Sequence, residues 1–348
     1  MLNLSIQTYS NKHISLAYII SISLLLLAML LSVTAGTLDL SFKEVFQIIY
    51  ANLTGSTVEL NPMHENIVMI IRLPRVLLAL FVGGSLAIAG AAFQGLLQNP
   101  LADPYTLGIS SGSSLGAVVV MFFGVSLPLL HGFTLPVMSI LFGFVTLVFV
   151  LGFARAIDAQ MSVETIILTG IIFSAFIGSL ISLLIALTGE ELRQIITWLM
   201  GSVSMRGWPY VKMVAPFTII GVIVLLMNTR ELNALAFGED AARHVGVNVQ
   251  IRKYAVLGGA SLLTGAAVAV SGTIGFVGLV IPHLTRILWG ADHRHLLPLS
   301  FLNGSAFLVI ADMIARTIIS PAELPIGVIT SLVGAPVFAI LFYTIRKR

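Results

Sequence analysis

Residues 72–108 read RLPRVLLALFVGGSLAIAGAAFQGLLQNPLADPYTLG, an apolar run held between a pair of arginines, Arg72 and Arg75, and an Asn-Pro-Leu-Ala-Asp-Pro exit. Residues 76–94 carry no charge, and as a helix they are long enough to cross a hydrocarbon core of roughly 30 Å. Gly83, Ala87, Ala91 and Gly95 recur every fourth residue, so one face is a groove of small side chains that lets another helix come close. Pro100 and Pro104 stop the helix and leave a short irregular segment beyond it.

Hydrophobic residues make up 57% of the 348 and charged residues 9%, against roughly 25% charged in a soluble domain. The chain is therefore expected to be an all-α polytopic membrane protein. Ten apolar stretches fall near residues 14–35, 67–97, 106–125, 133–152, 163–188, 211–228, 254–271, 274–290, 296–314 and 326–345, the seventh and eighth parted only by Ser271-Gly272-Thr273. The first exceeds a signal-peptide core and is read as an uncleaved span, although Val33-Thr34-Ala35 resembles a cleavage site. No repeat, Gly/Ser-rich or Pro-rich linker divides residues 1–348, which are read as one domain with a short tail at 1–13.

Ten spans put both termini on one side. Placing them inside gives that side eleven of the 18 Lys and Arg residues and the outside seven, which favours cytoplasmic termini. Arg72, Arg75 and Arg316 then lie outside, against the bias. Two readings are open for them: a role in charged contacts there, or snorkelling to the interface. In the outer segment 37–66, Ser41-Phe42-Lys43-Glu44 is a capping box ahead of Val45, Phe46, Ile48 and Ile49, which predicts a short amphipathic surface helix.

The inner loop at about 229–253 holds Gly238-Glu239-Asp240-Ala241-Ala242-Arg243-His244-Val245-Gly246. Acids first, Arg-His last and a glycine beyond suit a short helix with a left-handed cap at Gly246. Leu235, Ala236 and Phe237 ahead of it offer an apolar knob to a cytoplasmic partner, the alternative being a solvated connector. Small-residue ladders recur at Gly170, Ser174, Gly178, Ser182 and at Gly327, Ser331, Ala335, Ala339, and four hydroxyls crowd residues 108–116. Each serves helix packing or lines a wet pathway.

Net charge is +3 with no basic stripe, so nucleic acid is not an expected partner. The absence of cysteine excludes disulfides and thiolate metal sites. None of the five lysines follows a glycine, so the phosphate-cradling Gly-Lys-Ser/Thr loop is missing and any ATP is handled by another chain. His293 and His295 alternate in a short turn expected to be solvated, without the three or four ligands of a zinc site. His283 and Asp312 are ionisable groups near membrane depth: functional by default, or structural, His283 beside a proline-freed carbonyl and Asp312 paired with Arg316 one turn on.

These residues resemble the iron-complex and vitamin B12 permease family of ABC importers. The resemblance runs from about residue 38 to residue 346 and is carried by Arg-Leu-Pro-Arg at 72–75, Gln-Asn-Pro-Leu-Ala-Asp-Pro at 98–104, Leu-Gly-Ile-Ser-Ser-Gly at 107–112, residues 272–279 with Pro282, His283 and Arg286, and Glu323-Leu324-Pro325-Ile326-Gly327 with Gly334-Ala335-Pro336. It implies a ten-helix permease in a prokaryotic cytoplasmic membrane, paired with an identical or homologous second subunit around a central pathway. Two cytoplasmic ATPase subunits and an extracytoplasmic binding protein carrying a bulky metal chelate are the implied partners. No catalytic activity, cofactor or resident metal is implied.

By the same resemblance, Arg72, Arg75 and Arg316 dock the binding protein, Asn99 and Leu101 form the inner gate, and Leu235, Phe237, Gly238, Glu239, Asp240, Arg243 and Gly246 couple to the ATPases. Val163 and Glu164 depart from the small hydroxyl residues of the family at the loop between spans four and five. The expected cargo is an iron(III)–siderophore complex, with vitamin B12 or haem as alternatives. A reading from a different class is a proton-coupled secondary transporter with Asp312, Glu164 and His283 as its relay.

Overall fold

Proline 74 has no N–H to give to the carbonyl four residues back, and the helix around it widens: Leu73 N–H reaches Val68 O, and residues Ile67–Arg72 form a π-helical turn. The turn joins two α-helical pieces into one rod, Pro62–Leu96, on which the fold is assembled. The computed structural model describes residues 11–36, 38, 40–56, 61–130 and 132–346. Residues 1–10 of the expected tail, and Lys347 and Arg348, lie outside them.

Every apolar stretch becomes a helix. In chain order these are α1 (Asn11–Thr34), α2 (Phe42–Thr54), α3 (Pro62–Asn66), α4 (Leu73–Leu96), α5 (Ile109–Phe123), α6 (Thr134–Ile157), α7 (Val163–Leu187) and α8 (Leu192–Leu199). They continue with α9 (Gly207–Met227), α10 (Thr229–Leu235), α11 (Glu239–His244), α12 (Val249–Ser271), α13 (Val277–Trp289), α14 (His293–Thr317) and α15 (Ile326–Arg346). Among the described residues seven helices are long and apolar enough to cross a membrane, and the shorter apolar α5, α13 and α15 bring the number to ten.

The predicted surface helix is α2, where Ser41 Oγ accepts the Glu44 N–H at 3.2 Å. Val45, Ile48 and Ala51 are buried, and Asn52 Nδ2 donates to Glu65 Oε1 of α3 at 2.9 Å. Three short helices are not expected from the sequence, α3, α8 and α10. The Leu192, Ile195, Ile196 and Leu199 spacing of α8 was its available signal.

Helix α4 is buried without a break from Val82 to Leu96, packed by α14, α12, α13 and α9. Its small face is what admits them. A Cβ at Gly83 would stand 2.3 Å from Gly304 O of α14, and one at Gly90 1.8 Å from Gly278 O of α13. Backbones approach this closely only where side chains are missing, and lipid offers no hydrophobic drive to substitute for that contact. The α4 ladder is thus helix packing.

Between α12 and α13 the backbone leaves helical geometry, and Gly272 has φ +71°. Irregular backbone at this depth must be satisfied within protein. It is: Ser271 O accepts Ser202 N–H at 2.7 Å, Ile274 N–H donates to Tyr105 Oη at 2.7 Å, and Thr273 Oγ1 donates to Leu199 O.

Candidate functional site

At one end of the bundle α10 and α11 stand out from the ends of the long helices. The cap predicted at Gly246 is present as a complete Schellman motif: φ is +86°, Gly246 N–H bonds to Arg243 O and Val247 N–H to Ala242 O, both at 3.0 Å. Gly238 turns the chain between the two helices at φ +103°. Phe237 and Val245 are 70% and 73% exposed, with Asp240, Arg243 and Gly246 exposed around them. Leu235 corrects the sequence reading. It is 1% exposed, because α10 packs on α4 and α14 and turns Leu232 and Leu235 into the core. Of the apolar knob, Ala236 and Phe237 face outward.

Three side chains fasten this pair of helices to the bundle. Asn233 Oδ1 accepts both the backbone N–H of His293 at 2.9 Å and its Nδ1–H at 2.8 Å, while Asn233 Nδ2 donates to Asp292 Oδ1 at 2.7 Å. The Arg294 guanidinium, and after it Asn233, hold the Asp292 carboxyl well below the usual carboxylate range. Lys253, almost fully buried, binds Glu239 Oε1 of α11 at 2.5 Å and Met161 O of the α6–α7 turn at 2.8 Å. Gln98 Nε2 donates to Leu235 O at 2.7 Å. His293, expected in a solvated turn, is 3% exposed and wedged against Gly95, where a Cβ would meet Nε2 at 2.2 Å. Its buried role was invisible in an Asp-His-Arg-His string.

The segment after α4 is ordered by its own side chains. Asn99 Oδ1 accepts Leu101 N–H at 2.9 Å, Asn99 O accepts Ala102 N–H at 3.0 Å, and Asp103 Oδ1 caps the turn Pro104–Leu107 through Tyr105 N–H at 2.9 Å. These are the Asx turns that short polar side chains build where a helix has ended. Leu101 is 42% exposed at its tip. Gln98, just before it, has φ +48° without being glycine.

At the opposite end lies the arginine group. Arg75 Nε donates to both Asp312 oxygens at 3.0 Å and its Nη1 to Glu323 Oε1 at 2.8 Å. Arg72 Nη1 donates to Val33 O at 2.8 Å and Thr34 O at 2.6 Å. Arg316 donates to Ser32 Oγ at 2.7 Å, and the expected Asp312–Arg316 pair is long, 3.8 Å. Arg72, Arg75 and Arg316 are only 5%, 8% and 8% exposed. They do not present an open cationic surface in this conformation: the π-helical turn rotates Arg72 and Arg75 into the bundle, where carbonyls and carboxylates already take up their donors. Glu323, with a side chain 41% exposed, is the charged group that faces out. The string Glu-Leu-Pro-Ile-Gly at 323–327 carries no local signal that Glu323 pairs with Arg75.

The remaining candidates separate. Asp312 belongs to the arginine group, Glu164 is exposed at the start of α7, and His283 is buried on α13. No hydrogen bond joins the three among the described residues, as a proton relay would require. In residues 108–116, Ser114 Oγ donates to Ser110 O at 2.8 Å, and Ser113 O accepts from Ser139 Oγ at 2.7 Å, which is packing of α5 on itself and on α6. On α7 the ladder divides: Gly170 packs on Thr106 O, while Gly178 has open space beside it.

Comparison with known proteins agrees with this architecture. The FecCD transport family matches residues 24–344. The ABC transporter permease protein YvrB of Bacillus subtilis is 59% identical, covering 93% of this chain and 92% of its own. The hemin transport system permease protein HmuU of Yersinia pestis is 40% identical, covering 93% and 94%, and the molybdate import system permease protein MolB of Haemophilus influenzae 38%, covering 93% and 94%. A solved structure described as an inward-facing conformation of a metal-chelate type ABC transporter superposes with a TM-score of 0.82 at 34% identity, covering 96% of this chain and all of that one. With ten apolar helices, a projecting helix pair at one end and a match over nearly its whole length, the chain belongs to the FecCD transport family of ABC importer permeases.

Proposed function

We propose that this permease forms the membrane pathway for an iron(III)–siderophore complex, moved by alternating access on ATP hydrolysed in cytoplasmic partner subunits. The observation that carries the ATP-driven reading is the α10–α11 pair, an exposed aromatic knob at Phe237 on helices pinned by side-chain bonds to α12, to α14 and to Gln98 just beyond α4. A connector without a partner needs neither the knob nor the pins. For the cargo, relatives are named for molybdate, hemin, cobalamin and Fe(3+) dicitrate. Metal complexes and oxyanions are thus the class, and a ferric chelate is the member we infer, with haem or a corrinoid as alternatives.

On this reading the termini and α10–α11 are cytoplasmic, a second identical or homologous subunit completes the pathway, and Asn99 and Leu101 close its inner end. The delivery protein docks at the arginine end. Since Glu323 already fills one side of the Arg75 fork, an acidic residue of that protein exchanges with Glu323 there and does not meet a free guanidinium. Bidentate Arg–carboxylate geometry makes such an exchange directional.

The test is reconstitution in vesicles with the delivery protein, ferric siderophore and ATP, with and without the ATPase subunits. Accumulation is expected only with ATPase and ATP; uptake driven by a proton gradient alone, with no ATPase, overturns the proposal. A second expected outcome concerns Phe237. Phe237→Asp puts a charge at the centre of an apolar contact, and hot-spot aromatics commonly carry 2 kcal/mol or more of an interface. Co-purification of the ATPase should fall about thirtyfold or more while the permease keeps its unfolding midpoint; undiminished co-purification places the contact elsewhere.

A further inference from the structure

The carbonyl of Leu235 is the last in α10 and accepts the Gly238 N–H of the following turn at 2.9 Å, which leaves its second lone pair for another donor. That donor is the Gln98 amide, 2.7 Å away, and Gln98 is the residue immediately before Asn99. To reach it, Gln98 adopts φ +48°, a left-handed conformation that costs a residue with a Cβ and is retained where the surroundings over-determine it. Leu97, immediately before it, is 2% exposed and fixed in the core. Beyond Gln98 the local turns of Asn99 and Asp103 shape the chain, Leu101 stands exposed, and Ala102 returns to the core at 2% exposure. On its far side α10 is bound to α14 through Asn233, His293 and Asp292. Helix α10 is thus gripped by α14 and is hydrogen-bonded, through the Gln98 side chain, to the residue that leads into Asn99–Leu101.

We infer that Gln98 is a positioning residue that transmits displacement of α10 to the Asn99–Leu101 segment, so that the stroke received at Phe237 moves the inner gate. This rests on the ATP-driven reading above, and it adds the link between the two parts of that site. Its chemical requirement is narrow: a donor at the end of a flexible side chain, aimed at a backbone carbonyl.

The test uses the whole complex of permease, ATPase and delivery protein. The chain contains no cysteine, so a nitroxide on Leu101→Cys reports the segment without background. Gln98→Glu keeps size and shape but has no donor at neutral pH, whereas Gln98→Lys restores one. With Gln98→Glu, the ATP-dependent change in label mobility and the substrate moved per ATP hydrolysed should both fall about fivefold, the worth of one intramolecular hydrogen bond. Gln98→Lys should recover most of both. Equal loss in the two variants would make Gln98 a merely structural residue, and no loss with Gln98→Glu would remove it from the coupling; either overturns the inference. Failure of the ATP-driven reading is separate, because it shows in the unmodified protein as uptake without ATPase.

Discussion

Replacing Asp312 with Ala is expected to destabilise the permease by about 3–5 kcal/mol, the usual result of leaving buried charge without its partner. Asp312 is 0% exposed. It accepts from Arg75 at 2.9–3.0 Å and stands 3.8 Å from Arg316 Nε, so its removal sets two buried guanidiniums against each other. Arg75 keeps Glu323 in that variant, but Arg316 keeps only Ser32 among the contacts described above. Replacing both partners, Arg75→Met with Asp312→Leu, should cost much less than Asp312→Ala, since apolar groups of similar volume owe no desolvation penalty. Thermal unfolding of the three purified variants beside the wild type checks this. A double variant less stable than Asp312→Ala would mean that the network adds more than charge neutralisation, and an Asp312→Ala variant of wild-type stability would mean that the pair is solvated.

The second large effect is expected at the crossing of α4 and α13. A valine at Gly90 would bring its Cβ to within 1.8 Å of the Gly278 carbonyl oxygen, and because the obstacle is backbone, no rotamer change relieves it. Overpacking typically costs about 1–3 kcal/mol and more where the structure cannot shift; here α4 is also fixed on α14 through Gly83 and Gly304, so Gly90→Val should fall at or above the top of that range. Gly178→Ala supplies the contrast. It lies in the same kind of small-residue ladder but with open space around its position, and the gain in helix propensity is worth up to about 1 kcal/mol. Unfolding midpoints of the two variants in the same detergent decide the matter: similar losses in both would mean that the ladders act through some property other than close approach.

The ladders also mark how far a sequence can be read. Small residues at four-residue spacing identify a face, and the face of α4 was legible in Gly83, Ala87, Ala91 and Gly95. Whether it meets another helix depends on residues far along the chain, Gly304 against Gly83 and Ala87 and His293 against Gly95. The same division runs through the arginines. Pro74 between Arg72 and Arg75 is local, and a proline there widens the helix by withholding an N–H. The destination of the two guanidiniums, among carbonyls of residues 33 and 34 and the carboxylates of Asp312 and Glu323, follows from which helices pack beside α4.

What the sequence by itself determined is everything set within one turn or one span. That covers the ten apolar helices, the Ser41 cap of α2, the Schellman end of α11 at Gly246 and the irregular segment after Leu96, because capping bonds, proline geometry and the length needed to cross hydrocarbon are local constraints. The tertiary structure alone decided that Leu235 turns inward while Phe237 projects, that His293 is a buried clamp, and that Gln98 reaches the end of α10. Each of these is the orientation of one side chain against a distant element, and the free energy that selects it is the burial and pairing gained only when α4, α10 and α14 come together.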